Sequence, residues 1–238
     1  MKYNRVLVKL SGEALSGDGQ SGIIDTKALL STAKVIADIA KSGTQVSVVI
    51  GAGNIARGSL VEKTGIDRVT GDKMGMLGTV INSFAMSDAI IREGCKSIVL
   101  SAVAMEEFAP TYSKELADEY LNKGYVVVFG GGTGKPFFST DTCATLRAIE
   151  IKANAILVAK NGVDGIYDDD PRVNKNAKMY KEVTCSEILE KKLKVMDLTS
   201  IEMLKDQYID VRVFNMAKSE NFLKVVNGED VGTIIKRG

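Results

Sequence analysis

Apolar residues fall along this chain in two alternating patterns: short β-branched runs without polar spacing, and longer stretches whose apolar positions recur three and four apart. The runs at 5–8, 46–50, 97–100, 125–129, 155–159, 211–214 and 233–235 read as buried strands. The stretches at 26–42, 72–93, 113–123, 140–152, 186–191, 199–206 and 218–227 read as helices, and the polar stretch 161–181 reads as a loop. Punctuation agrees with this. Asp25 stands where an N-cap is wanted, and Gly43, Gly94 and Gly124 stand where helices stop. Strands alternating with helices need crossover connections, which predicts a mainly parallel sheet covered on both faces. The expected fold is of the α/β class, a three-layer α/β/α sandwich. No linker-like composition interrupts it, so one domain over 1–238 is expected.

One helix breaks the amphipathic rule. Apolar residues from Met74 to Ile91, among them Leu77, Val80, Ile81, Phe84 and Ile90, cover more than one stripe of 72–93. A helix apolar on several sides is buried on several sides. Core packing and a subunit interface both account for it, with Gly75 and Gly78 allowing another helix to come close.

Charge narrows the chemistry rather than the fold. A net charge of +1, with 26% charged residues of both signs, argues against a nucleic-acid surface, so any anion must be captured locally. Cys95, Cys143 and Cys185 form no Cys-x-x-Cys pair, which points to reduced thiols in a cytoplasmic protein. The lack of histidine removes imidazole bases, Ser-His triads and His-bound zinc. Neither a signal peptide nor a long uncharged membrane span is legible.

Three glycine-rich turns offer the local capture. Lys9-Leu10-Ser11-Gly12, Gly51-Ala52-Gly53-Asn54 and Gly130 to Lys135 each follow a strand. If those strands are parallel neighbours, the turns meet at one sheet edge, where bare N–H groups surround anionic oxygens. Lys9 ends a buried strand, where a lysine is costly without an anion, and Arg57 follows the second turn as an anion clamp. The second turn fits the dinucleotide fingerprint only formally, since an immediate helix and an acidic strand end are missing. Gly134-Lys135 likewise lacks the leading Gly and the Ser/Thr of a P-loop. Tyr167, beside Asp168, Asp169 and Asp170, offers a ring to stack on a base with a carboxylate next to it, whereas a calcium loop would need a closing Glu.

The segments 9–15, 51–54 with Arg57, 71–76, 132–141, 163–165 and 194–198 together resemble the bacterial uridylate kinases, a branch of the amino acid kinase family. The likeness runs essentially end to end. It implies transfer of the ATP γ-phosphoryl group to UMP in the presence of Mg²⁺. Carried over position by position, Lys9, Leu10, Ser11, Gly12, Gly53, Arg57, Asn161, Tyr167 and Asp170 would contact ATP. Ala52, Asp72, Thr133, Gly134, Lys135, Pro136, Phe137, Phe138, Ser139 and Thr140 would hold UMP. Lys9, Arg57, Asp141 and Asp197 would act at the phosphates. No protein ligand to the metal is expected, magnesium being held by phosphates and water.

Ala52 and Asn161 depart from the Gly and Thr common among relatives, yet keep backbone or amide contacts. UMP phosphate is already an anionic nucleophile, so the missing histidine is no obstacle. The resemblance further implies a homohexamer, GTP activation and UTP inhibition. Gly17, Asp18, Gly19, Gln20, Ser21 and Gly22 are read as the segment answering GTP. Another small-molecule kinase of this fold, or a non-catalytic nucleotide- or oxyanion-binding sensor or storage protein, stays open as an alternative.

Overall fold

The computed structural model describes residues 2–17, 22–56, 64–193 and 195–238. Eight strands, β1 (Arg5–Leu10), β2 (Gln45–Ile50), β3 (Ser97–Ser101), β4 (Val126–Gly130), β5 (Ala155–Lys160), β6 (Glu182–Thr184), β7 (Asp210–Asn215) and β8 (Thr233–Lys236), form one sheet. Their order is β3-β4-β2-β1-β5-β7-β8-β6. The six strands from β3 to β7 in that order run parallel; β8 is antiparallel to β7 and carries β6 parallel to itself. β1, β2, β4 and β5, buried on both faces, are the clearest in the sequence, because alternation vanishes there and Val and Ile run on.

Helices cover both faces: α1 (Thr26–Lys41), α2 (Arg68–Arg92), α3 (Lys114–Asn122), α4 (Thr140–Glu150), α5 (Cys185–Lys191), α6 (Leu198–Leu204) and α7 (Glu220–Asn227). Val6, Val8 and Leu10 of β1 pack with Ile36 of α1, Met86 and Ile90 of α2 and Phe222 of α7. On the other face Leu7, Val49, Phe129 and Ile156 pack with Leu121 of α3, Ala144 of α4, Ile188 of α5 and Ile201 of α6. The expected three-layer α/β/α sandwich is what the structure has. Asp25 caps α1 by accepting from the Ala28 N–H at 2.7 Å, as its position suggested.

The differences have local causes. α2 begins at Arg68, not 72, because the Asp67 carboxylate caps it, accepting from the N–H groups of Val69 and Thr70 at 2.9 and 3.2 Å. The polar residues Arg68, Thr70, Asp72 and Lys73 had hidden that first turn. β6 escapes a hydrophobic scan because only Val183 of its three residues is buried. Gly78 makes room for a turn rather than a helix, since a Cβ there would stand 2.9 Å from Ala52 Cβ.

α2 has the length and composition of a membrane span, but half of that window is buried in this fold. Its outer side stays apolar, with Leu77, Ile81 and Ile91 each more than half exposed.

Candidate functional site

β1 lies where the strand order reverses, with β2 on one side and β5 on the other, and a parallel sheet opens a crevice beyond its strand ends at such a point. The first two glycine turns meet there. The Gly51 N–H donates to the Leu10 carbonyl at 3.0 Å. A Cβ on Gly12 would stand 2.5 Å from both the Gly51 carbonyl oxygen and Asn54 Oδ1, so only glycine fits. Leu10 itself is fully buried in the core, which leaves this residue only its main chain to offer a nucleotide.

The third turn meets α2 and α4 around a cleft of about 440 Å³. Of the residues assigned to UMP, Ala52, Asp72, Thr133, Lys135, Phe137, Phe138, Ser139 and Thr140 line it and Gly134 and Pro136 do not, while Gly53, assigned to ATP, lines it as well. Ser139 caps α4 by accepting from the Thr142 N–H at 3.1 Å, so the helix presents its N-terminal end to the cleft. Thr79 Oγ1 on α2 accepts from the Gly131 N–H at 2.9 Å. The Asp72 carboxylate accepts from the Phe137 N–H at 2.7 Å and from Arg68 Nε at 3.0 Å. Phe137 holds φ at 72°, a conformation that costs a non-glycine residue about 1–3 kcal/mol. Its ring and that of Phe138 are nevertheless more than half exposed at the cleft mouth. Cys143 lies on the cleft floor, where burial pushes its thiol up to about 11 and leaves it unreactive.

Lys9 pairs with Asp141 at 2.5 Å, both being mostly shielded from solvent. Lys160, at the end of β5, donates to the Val195 carbonyl at 2.7 Å. Burial, and then the positive charge of Lys9, hold its ammonium below the usual lysine range, while Asp141 pulls it back up. The sequence reading passed over Lys160, although it ends an otherwise apolar strand, the same signal that marked Lys9.

Asp197 caps α6, accepting from the Ser200 N–H at 2.8 Å and Ser200 Oγ at 2.9 Å, and also from Ser139 Oγ and Thr142 Oγ1 of α4. Burial would raise its carboxyl, but these bonds, Ser139's first, outweigh burial and hold it below the ordinary value. In this structure Asp197 ties the start of α6 to the start of α4.

Beyond Lys160 a second cleft of about 500 Å³ is lined by Asn161, Tyr167, Asp168, Asp169, Asp170, Arg172 and Lys192. Here the aspartates mostly serve their own loop. Asp168 Oδ1 accepts from the Lys178 N–H at 2.7 Å, Asp169 Oδ2 from Asn174 Nδ2 at 2.9 Å, and Asp170 Oδ1 from the Arg172 N–H at 2.9 Å. Asp164 accepts from Asn215 Nδ2 at 3.1 Å.

Arg57, Asp18, Gly19, Gln20, Ser21 and Lys194 lie outside the described residues. Gly17 and Gly22 are described, with φ of 57° and 95°. Among the described residues no cluster of three or more His, Cys, Asp or Glu side chains could hold a metal ion.

Comparison with known proteins agrees with this layout. The model of the Amino acid kinase family matches residues 4–215. A uridylate kinase of Oenococcus oeni is 48% identical over 99% of this chain and 98% of its own length. One from Cutibacterium acnes is 44% identical over 99% of each chain. The crystal structure of UMP kinase from Bacillus anthracis superposes with a TM-score of 0.96 at 40% identity, covering 99% of this chain and 97% of that one.

Proposed function

We propose, from the premise that this chain belongs to the amino acid kinase family and there to the uridylate kinases, that it phosphorylates UMP to UDP at the expense of ATP. The observation that carries the reading is that β1, which bears the Lys9–Asp141 pair, lies between β2 and β5, whose ends open into the two clefts. UMP occupies the cleft of Asp72 and Thr133 to Thr140, and ATP the cleft of Asn161, Tyr167 and Asp170. Their phosphates meet over Ser11, Gly12 and Gly53.

UMP phosphate is itself the nucleophile, so the reaction needs alignment and charge stabilisation rather than a base. Lys9, with Lys160 beside it, stands where negative charge builds up on the transferred group, and the α4 N-terminus and glycine N–H groups surround the oxygens. Asp141 orients the Lys9 ammonium. Arg57 is assigned to the same phosphates from its place after the second turn. Asp197 acts at one remove, by holding Ser139 and Thr142. The described residues form no carboxylate cage, so Mg²⁺ would enter as part of the ATP complex, held by phosphate and water, and would spread the phosphate charge.

The exposed apolar side of α2 supports assembly through this helix into the homohexamer that the family resemblance implies. UTP inhibition follows if the uridine cleft accepts the end product, and GTP activation is assigned to 17–22. The free thiols support a reducing, cytoplasmic setting, and the whole chain is read as one amino acid kinase domain.

A coupled assay of ADP release with UMP, CMP, dUMP, acetylglutamate and carbamate tests the reading. UMP alone is expected to drive fast turnover. Turnover with an acyl substrate and none with UMP would move the chain to another kinase of this fold.

A further inference from the structure

α2 buries a polar stripe beside its apolar core residues Met86 and Ile90. Leu77, Ile81 and Ile91 stay exposed, while Thr79, Asn82 and Ser83 are buried, Asn82 and Ser83 with no exposure at all. A buried polar side chain costs stability unless its bonds are made, so this stripe needs partners, and it finds them in the turns of the site. Asn82 Nδ2 donates to the Gly51 carbonyl and to Asn54 Oδ1, both at 2.8 Å. Asn54 in turn donates to Asn82 Oδ1 at 3.1 Å and to the Ile23 carbonyl at 2.8 Å. One turn earlier, Thr79 Oγ1 accepts from the Gly131 N–H.

The two oxygens that share the Asn82 amide are the two that a Cβ on Gly12 would meet most closely. Without this donor the Gly51 carbonyl and Asn54 Oδ1 would both lose the bond that ties them to α2, and the turn after β2 would be free to shift against the turn after β1.

We infer that the buried polar stripe of α2 is a positioning device for the reaction proposed above, with Asn82 fixing the phosphate-facing Gly12–Gly51 junction and Thr79 fixing the Gly131 turn of the UMP cleft. The inference rests on the uridylate kinase reading. It gives the two residues separate kinetic signatures, because one holds the place of transfer and the other the place of acceptor binding.

Steady-state kinetics of Asn82→Ala, Thr79→Val and Thr79→Ser test it, each variant being checked for fold by circular dichroism. Asn82→Ala is expected to lower kcat by about 10²-fold, the cost of an ångström-scale displacement, while both KM values stay within a few-fold. Thr79→Val, nearly the same shape, is expected to raise the UMP KM by about tenfold at nearly constant kcat and to speed hydrogen exchange at the Gly131 amide. Thr79→Ser, which keeps the acceptor, is expected to restore both.

A folded Asn82→Ala protein with wild-type kcat overturns the inference, as does a Thr79→Val protein with unchanged UMP KM and Gly131 exchange. A general loss of stability that moves kcat and KM together in both variants also overturns it. If Asn82→Ala does not fold, the Thr79 pair decides. Failure of the wild-type protein to phosphorylate UMP would instead remove the functional reading, an outcome separable from all of these.

Discussion

The two clefts are alike in size and unlike in how they are held. The cleft assigned to UMP takes its shape from partners far away in sequence: Gly131 is held by Thr79, Phe137 by Asp72 and Ser139 by Asp197, at separations of 52, 65 and 58 residues. The cleft assigned to ATP is rimmed by a loop that holds itself, with Asp168, Asp169 and Asp170 bonding to residues 10, 5 and 2 positions away. A wall fixed at three points from two other elements, α2 and the start of α6, cannot adapt one group at a time, so it reads its ligand strictly. A self-capped loop can shift as a unit, and it tolerates variation in what it covers.

The sharpest way to break this contrast is base discrimination. The rigid cleft should satisfy uracil N3–H and O4, and cytosine reverses both groups, so UMP is expected to exceed CMP in kcat/KM by about 10⁴, while the other cleft discriminates less between ATP and its base analogues. Comparable turnover of CMP and UMP would end the comparison. At the junction, Lys9→Ala is expected to lower kcat by about 10²–10³ with smaller changes in either KM. A folded variant with wild-type kcat would take Lys9 out of the mechanism.

Within the UMP cleft, Asp72→Ala is expected to raise the UMP KM by roughly tenfold and to narrow the preference over dUMP, leaving ATP affinity intact. If ATP affinity falls instead, the assignment of the two clefts is reversed. The smallest effect concerns stability. Asp197→Ala removes a helix cap and should cost about 1–2 kcal/mol by urea unfolding, whereas Asn174→Ala in the self-capped loop should leave the midpoint unmoved. Because the folded-state carboxyl of Asp197 lies below its ordinary value of 3.8, its contribution is complete above that pH and is lost as pH falls through the folded-state value. The difference between wild type and Asp197→Ala should therefore shrink on acidification.

The same contrast explains what the sequence could and could not disclose. The three turns, the fully buried strands and the Asp25 cap are written in adjacent residues, and they stand where the pattern put them. Asp72 was legible only through family resemblance, because nothing near it in sequence shows that its carboxylate meets the Phe137 N–H. Thr79 and Asn82 were not legible at all. Nothing in the apolar pattern of this helix singles out two polar residues, and only the packing of α2 over two turns buries them against the site. Lys160 was missed for a different reason: its signal was local but was weighed only at Lys9.

The central place of β1 also bears on how the chain is made. β1 leaves the ribosome first, and β2 can pair with it soon afterwards, but its other neighbour, β5, begins only at Ala155. At synthesis rates of roughly 5–20 residues per second, that edge of β1 stays unpaired for a time on the order of 7–30 s. During that interval the nascent chain exposes the flat apolar strand edge most prone to pair with another chain. The strand that carries Lys9 is thus also the point at which a growing or truncated chain is most open to aggregation, until the arrival of β5 pairs its second edge.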